Sequence, residues 1–179
     1  MATTTRPVAT EEDLLQTPRD GQKYELVDGE IRVSPAGYLH GRVSMRLGSR
    51  LTVFVGERGL GDVLDSSTGF RLPGGNVRLP DVCFVAKGRF VGDPEGFGDV
   101  APDLAVEVLS PYDRSRQVLD KVGEYLQAGV RLVWVIDPKR RTAAVHRSLT
   151  DVRTLGADDF LDGEDVLPGF RCRLADVID

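Results

Sequence analysis

Six consecutive residues, Leu104-Ala105-Val106-Glu107-Val108-Leu109, constrain the fold of this chain more than any others. They do not alternate. Both faces of the segment are apolar apart from one carboxylate, which predicts a central strand covered on both sides. A second such run, Val130 to Ile136, follows a helical stretch from about Arg114 to Ala128 that Gly129 ends in the usual C-terminal position. Strands buried on both faces need packed layers above and below. The fold class is therefore α/β, a central mixed sheet flanked by helices.

The other elements extend that sheet. Tyr24 to Val27 and Ile31 to Val33 alternate around the turn pair Asp28-Gly29 and predict an N-terminal hairpin. Thr10, followed by Glu11, Glu12 and Asp13, reads as a capped helical turn. From about Leu39 to Val55 the apolar residues Val43, Leu47, Leu51 and Phe54 recur at helical spacing. Gly61 to Leu72 and Val77 to Val85 are expected as two long strands joined by Pro73-Gly74-Gly75-Asn76, with Lys87 to Val100 a glycine- and acid-rich loop. Asp137-Pro138 leads into a strand over Thr142 to His146, followed by short strands and a closing segment, Leu174 to Ile178. Met1 to Pro7 predicts a frayed tail ending at about residue 8, and Ser34-Pro35-Ala36-Gly37 a break in the sheet.

A chain of 179 residues fits a single domain over 1–179 with a substantial core. Two cysteines and two histidines, scattered singly, exclude a disulfide framework and a structural zinc site. No apolar run nears the roughly 18 residues of a membrane span, and the first residues lack a signal-peptide core, so a cytoplasmic location is expected. The net charge of −5 argues against a large surface that coats nucleic acid, but it says little about a local groove.

Glu107 is the residue that most needs a cause. A carboxylate in an apolar strand costs several kcal/mol of desolvation unless it is paired or bound to a cation. Asp81 follows Pro80 at the mouth of Val82-Cys83-Phe84-Val85, either as a turn aspartate or as a second carboxylate on another strand. Two such acids at a sheet edge suit Mg²⁺, which takes one or two carboxylates plus a phosphate and keeps waters. Lys121 borders the buried face of its helix, marked by Val118, Val122 and Tyr125. It either snorkels or carries an ammonium to a scissile phosphate beside Glu107.

Other candidates carry two readings each. Glu25 is a strand-edge ion pair or a third carboxylate near the metal, and His40 a packing residue or a ligand. Tyr125 packs or orients Lys121. Arg42, Arg46 and Arg50 share one helical face, which is a solvated surface or a stripe that contacts phosphates. Asp113 and Asp120 are read as capping and decorating a helix, and Cys83 as core. Gly74-Gly75 is a hairpin turn, since no Gly-Lys-Ser/Thr continuation follows it.

An ordered set of motifs runs through the chain: Tyr24-Glu25-Leu26-Val27-Asp28-Gly29-Glu30, Ser34-Pro35 with His40, Asp65 to Phe70, and Leu79-Pro80-Asp81-Val82. Pro102 to Pro111, Lys121-x3-Tyr125, Gly129-Val130 and Ile136-Asp137-Pro138 complete it. The set resembles the Uma2 (DUF820) family of restriction-endonuclease-like proteins from about Tyr24 to His146. The resemblance implies a PD-(D/E)xK nuclease core with a divalent metal, Mg²⁺ or Mn²⁺, at Asp81, Glu107 and the backbone carbonyl of Val108. The superfamily commonly places its lysine two residues after the second acid, which is Leu109 here; the implied lysine is Lys121, from the following helix. Many relatives carry an acid where this chain has Gln117.

The implied reaction is metal-dependent hydrolysis of DNA phosphodiester bonds. Lys121 would orient the attacking water or neutralise the transition state. Cutting both strands of a duplex takes two sites, which a homodimer would supply. The alternative is a nucleic-acid-binding or regulatory protein that keeps the scaffold without cutting. In a third reading Glu107 and Lys121 are only a structural pair.

Overall fold

The computed structural model describes residues 8–34 and 37–179. The expected tail over Met1 to Pro7, and the Pro35-Ala36 part of the expected sheet break, lie outside the described residues. In chain order the elements are α1 (Glu11–Leu15), β1 (Lys23–Val27), β2 (Glu30–Ser34), α2 (Tyr38–Arg58), β3 (Gly61–Asp65), β4 (Phe70–Arg71), β5 (Val77–Arg78) and β6 (Val82–Ala86). They continue as β7 (Leu104–Val108), α3 (Ser115–Gln127), β8 (Leu132–Asp137), β9 (Thr142–His146), β10 (Val152–Leu155), β11 (Phe160–Asp162), β12 (Arg171–Arg173) and α4 (Ala175–Ile178). No helix among the described residues is long and apolar enough to cross a membrane.

The main sheet has six strands in the order β10-β9-β8-β7-β6-β3, and the expected central strands β7 and β8 lie in its middle. They pair in parallel, with α3 as the crossover, while their outer neighbours are antiparallel. A second sheet, β2-β1-β5-β4, carries the N-terminal hairpin. Its turn puts Asp28 and Gly29 at positive φ, as an Asp-Gly hairpin requires. A short ladder, β11-β12, completes the sheets.

Strand alternation divides the core into two layers. Val82, Phe84, Leu104, Val106, Val108, Leu132, Trp134 and Ile136 face α2, where Val43, Leu47, Leu51 and Val55 are buried against them. Cys83, Val85, Ala105, Val133 and Val135 face α3 through Val122 and Tyr125. Parity puts Asp81 and Glu107 on this second face.

Two expected strands are corrected. Gly61 to Leu72 is two strands in different sheets, β3 and β4, because the chain turns at Ser66-Ser67. Val77 to Val85 is likewise β5 in the small sheet and β6 in the large one. The break is Leu79-Pro80-Asp81: proline has no N–H to give a ladder, and the chain leaves one sheet there to enter the other. Asp113 does not cap α3. Its carboxylate accepts from Ser110 N at 2.6 Å, and the cap position is Arg114, with no side-chain bond.

Candidate metal centre

The break at Pro80 places Asp81. Its own N–H donates to Val106 O at 3.0 Å, and its Oδ2 accepts from Val108 N at 2.8 Å, so the carboxylate bridges the start of β6 to the end of β7. In a strand the N–H and C=O of one residue leave on the same edge, so the Val108 carbonyl points to the Asp81 side. Two side chains complete the setting: Lys23 Nζ lies 2.7 Å from Oδ1 and His40 Nε2 2.9 Å from Oδ2.

Glu107 takes a different set of partners from α3. Lys121 Nζ is 2.9 Å from its carboxylate, and the Tyr125 hydroxyl donates to Oε1 at 2.7 Å. Lysine and tyrosine at i and i+4 on one helix face reach the same acid. Lys121 also lies 3.0 Å from Glu25 Oε1 on β1. Glu25 in turn accepts from Leu79 N at 2.8 Å and pairs with Arg78 at 3.3 Å. Arg78 holds Glu124 of α3 through two bonds, at 2.8 and 2.6 Å. The small sheet and α3 are thus tied together by buried charge.

Lys23, Glu25, His40, Asp81, Glu107 and Lys121 line one cavity of about 560 Å³, together with Val108 and Gln117. The Asp81 and Glu107 side chains are only 3% and 10% exposed. Their environments push the two acids apart. Burial would raise the Asp81 carboxyl, but Lys23 and His40 outweigh it and hold it well below the usual range. Burial also dominates at Glu107, where Lys121 does not fully offset it and the neighbouring Asp81 and Glu25 add to it, so this carboxyl is raised. Burial opposes the charge on Lys121, yet Glu107, Glu25 and Asp81 together raise its value and keep it an ammonium.

Glu25 is engaged by three donors, Leu79 N, Arg78 and Lys121, and so holds the Lys121 ammonium beside Glu107. Among the described residues, no group of three or more His, Cys, Asp and Glu side chains is arranged to hold a metal. The cavity does offer two carboxylates, Asp81 and Glu107, and the Val108 carbonyl, hard oxygens of the kind Mg²⁺ and Mn²⁺ accept alongside water and phosphate. To that extent the residues fit such an ion. The arginine stripe does not line the cavity. Arg42 donates to Ile178 O at 2.9 Å and Arg50 to Asp176 O at 3.4 Å, and Arg46 lines a shallow surface beside Asp176 and Asp179. Cys83 is buried core, as expected.

Sequence reasoning misses Lys23. The available signal is its position two residues before Glu25, which puts both side chains on one face of the hairpin. Arg78 and Glu124 give no local signal.

No curated protein matches the sequence. Among solved structures, the fold matches one from Anabaena variabilis described as "a putative nuclease belonging to DUF820", with a TM-score of 0.81 at 19% identity, covering 94% of this chain and 97% of that one. The model of the Uma2 family, described as "Putative restriction endonuclease", matches residues 11–175. The match spans nearly all of the described residues, so the chain belongs to the Uma2 family.

Proposed function

We propose that this protein is an endonuclease that hydrolyses DNA phosphodiester bonds with a divalent cation, Mg²⁺ or Mn²⁺. One observation carries the reading: side chains 81, 107 and 121, far apart in the sequence, line a single cavity in a chain of a nuclease family. Asp81, Glu107 and the Val108 carbonyl would hold the cation. When bound, the cation supplies Lewis-acid stabilisation of the phosphoryl oxygens and acidifies a water.

The chain's own residues do the rest. Tyr125 and Lys121 fix the Glu107 carboxylate from one side of the cavity, and Lys23 and His40 fix Asp81 from the other. The Lys121 ammonium, held between Glu107 and Glu25, is a preorganised positive charge for a non-bridging phosphate oxygen. Lys23 is a second such charge. Because Glu25 is itself anchored by Arg78 and Leu79 N, Lys121 is held in place before substrate arrives.

A second reading is a nucleic-acid-binding or regulatory protein that does not cut. It draws on the two ammonium groups seated on the carboxylates, which neutralise the site without an ion. Calorimetry with Mn²⁺ separates the two: binding that disappears in Asp81→Ala supports the nuclease, and no binding supports the second reading. Supercoiled, linear and single-stranded DNA and RNA, incubated with Mg²⁺ or Mn²⁺, give the direct test. Asp81→Ala should abolish cutting while circular dichroism shows an intact fold. Lys121→Ala should retain ion binding and lose about 10²–10³ in rate; unchanged turnover would remove Lys121 from the mechanism.

A further inference from the structure

A second hollow, of about 690 Å³, adjoins the carboxylate cavity. His40, Leu109, Ser110, Asp113 and Val118 line both, so the two are neighbouring rooms with a common wall. Their chemistry differs. Leu119, Val135, Pro138 and Ala144 give the second one an apolar wall beside Asp113 and Asp137, while Lys139 and Arg140 stand exposed at the turn between β8 and β9 on its rim. Tyr38, at the first turn of α2, also lines it and is 86% exposed. His146, only 5% exposed, belongs to its wall, and its Nδ1 has no hydrogen-bond partner. A buried imidazole nitrogen without a partner is an unmet polar group.

We propose that this hollow receives the base of a nucleotide unstacked from its strand, next to the phosphate in the carboxylate cavity, so that the preferred substrate is single-stranded DNA. The inference rests on the nuclease reading and specifies its substrate. The volume lies in the range of small-molecule pockets, roughly 300–1,000 Å³. A base paired in a duplex shows only its edges in a groove and cannot enter a space walled by α2, α3 and β8–β9. An unstacked base shows its flat face, which apolar walls and an exposed tyrosine accept without regard to sequence. Arg140 is paired with Asp137 at 3.5 Å, so Lys139 is the rim charge that suits a strand phosphate. Burial lowers the pKa of His146 and keeps its ring neutral, a state in which it can meet a base edge with either a donor or an acceptor.

The test uses the whole protein and three fluorescein-labelled probes: a 12-nucleotide single strand, the same strand with its central nucleotides abasic, and the matching duplex. Anisotropy without divalent ions should show the single strand binding at least about tenfold tighter than the other two. Tyr38→Ala and Leu119→Gln, both at exposed positions, should each remove most of that advantage, a loss of about tenfold in line with the measured cost of losing one base stack. With Mn²⁺, the abasic strand should be cut correspondingly more slowly.

Equal binding and equal cutting of all three probes, untouched by Tyr38→Ala, would overturn the base site while leaving the nuclease standing. Base-dependent binding that needs Tyr38, with no cutting of any probe, would keep the base site and sink the nuclease. A concentration-dependent dimer that disappears in Leu119→Gln would assign the hollow to a second copy of the chain and overturn the inference.

Discussion

The two faces of the six-stranded sheet are built from alternate residues of the same strands, yet they do different work. Under α2 the layer carries no buried ion pair among the described residues: Leu47 and Leu51 pack in one cluster with Val82, Phe84 and Trp134, and Phe170 stacks on Trp134 with centroids 6.0 Å apart. Under α3 the middle of the layer is just as apolar, around Cys83, Ala105 and Val133, but its end holds Asp81, Glu107 and Lys121. The first face is stabilised mainly by apolar burial, with the Trp134 indole N–H as a buried polar atom that has no partner among the described residues. At the second, each buried charge survives only through others, in a chain that runs from Tyr125 through Glu107, Lys121, Glu25 and Arg78 to Glu124. A buried ion network is weak evidence for stability, since hydrophobic replacement is often as stable. Its presence beside a cavity points to use.

The contrast can be broken from either side. Leu47→Ala on the apolar face should cost about 2–5 kcal/mol in urea unfolding while leaving Mn²⁺ affinity unchanged. A change in affinity would mean that the two faces are coupled.

Acid should attack the other face first. Burial would raise the Glu25 carboxyl, but Lys121, Lys23 and Arg78 override it and bring it down to about 2. A carboxyl lowered on folding contributes stability that is complete above its unfolded value and is lost as pH falls toward the folded one. The loss should therefore run from about pH 4.5 down to about 2 and amount to about 3 kcal/mol. Glu107 has the opposite sign: its raised carboxyl favours the fold at low pH, and that contribution fades as pH rises through its folded value. Unfolding free energy measured against pH in wild type and Glu25→Gln checks the Glu25 contribution, since the variant should lose less stability than wild type over that acid range.

Tyr125→Phe removes one of the two donors at Glu107 Oε1, leaving Lys121, and should cost about 1 kcal/mol in the same assay. No loss would show that the hydroxyl bond is dispensable. The smallest effect is expected far from the cavity: Arg46→Ala should change stability by less than about 0.5 kcal/mol and leave the affinity for DNA as it was. A clear drop in DNA affinity would restore the arginine stripe as a phosphate contact.

Much of this is legible in the residues. The unalternating run at 104–109 predicts a central strand, and Glu107 within it announces a buried charge in need of a cause. The helical period between Val43 and Leu51 predicts α2, and Asp28-Gly29 predicts the hairpin turn. The two long strands are not single strands, and the sequence hides this because β-like residues resume on the far side of each break. Only Pro80, and the turn at Ser66-Ser67, interrupt the pattern, and neither break says which partner strand comes next.

What the sequence determined by itself is local: periodicity, turn chemistry, and the presence of ionisable groups where apolar ones belong. Those follow from backbone geometry and the cost of desolvation, which act within a few residues. Tertiary structure alone decided which charges meet. Lys23 finds Asp81 across 58 positions, and Arg78 finds Glu124 across 46. An ion pair depends on separation in space, and that separation is set by strand order and crossover rather than by spacing along the chain.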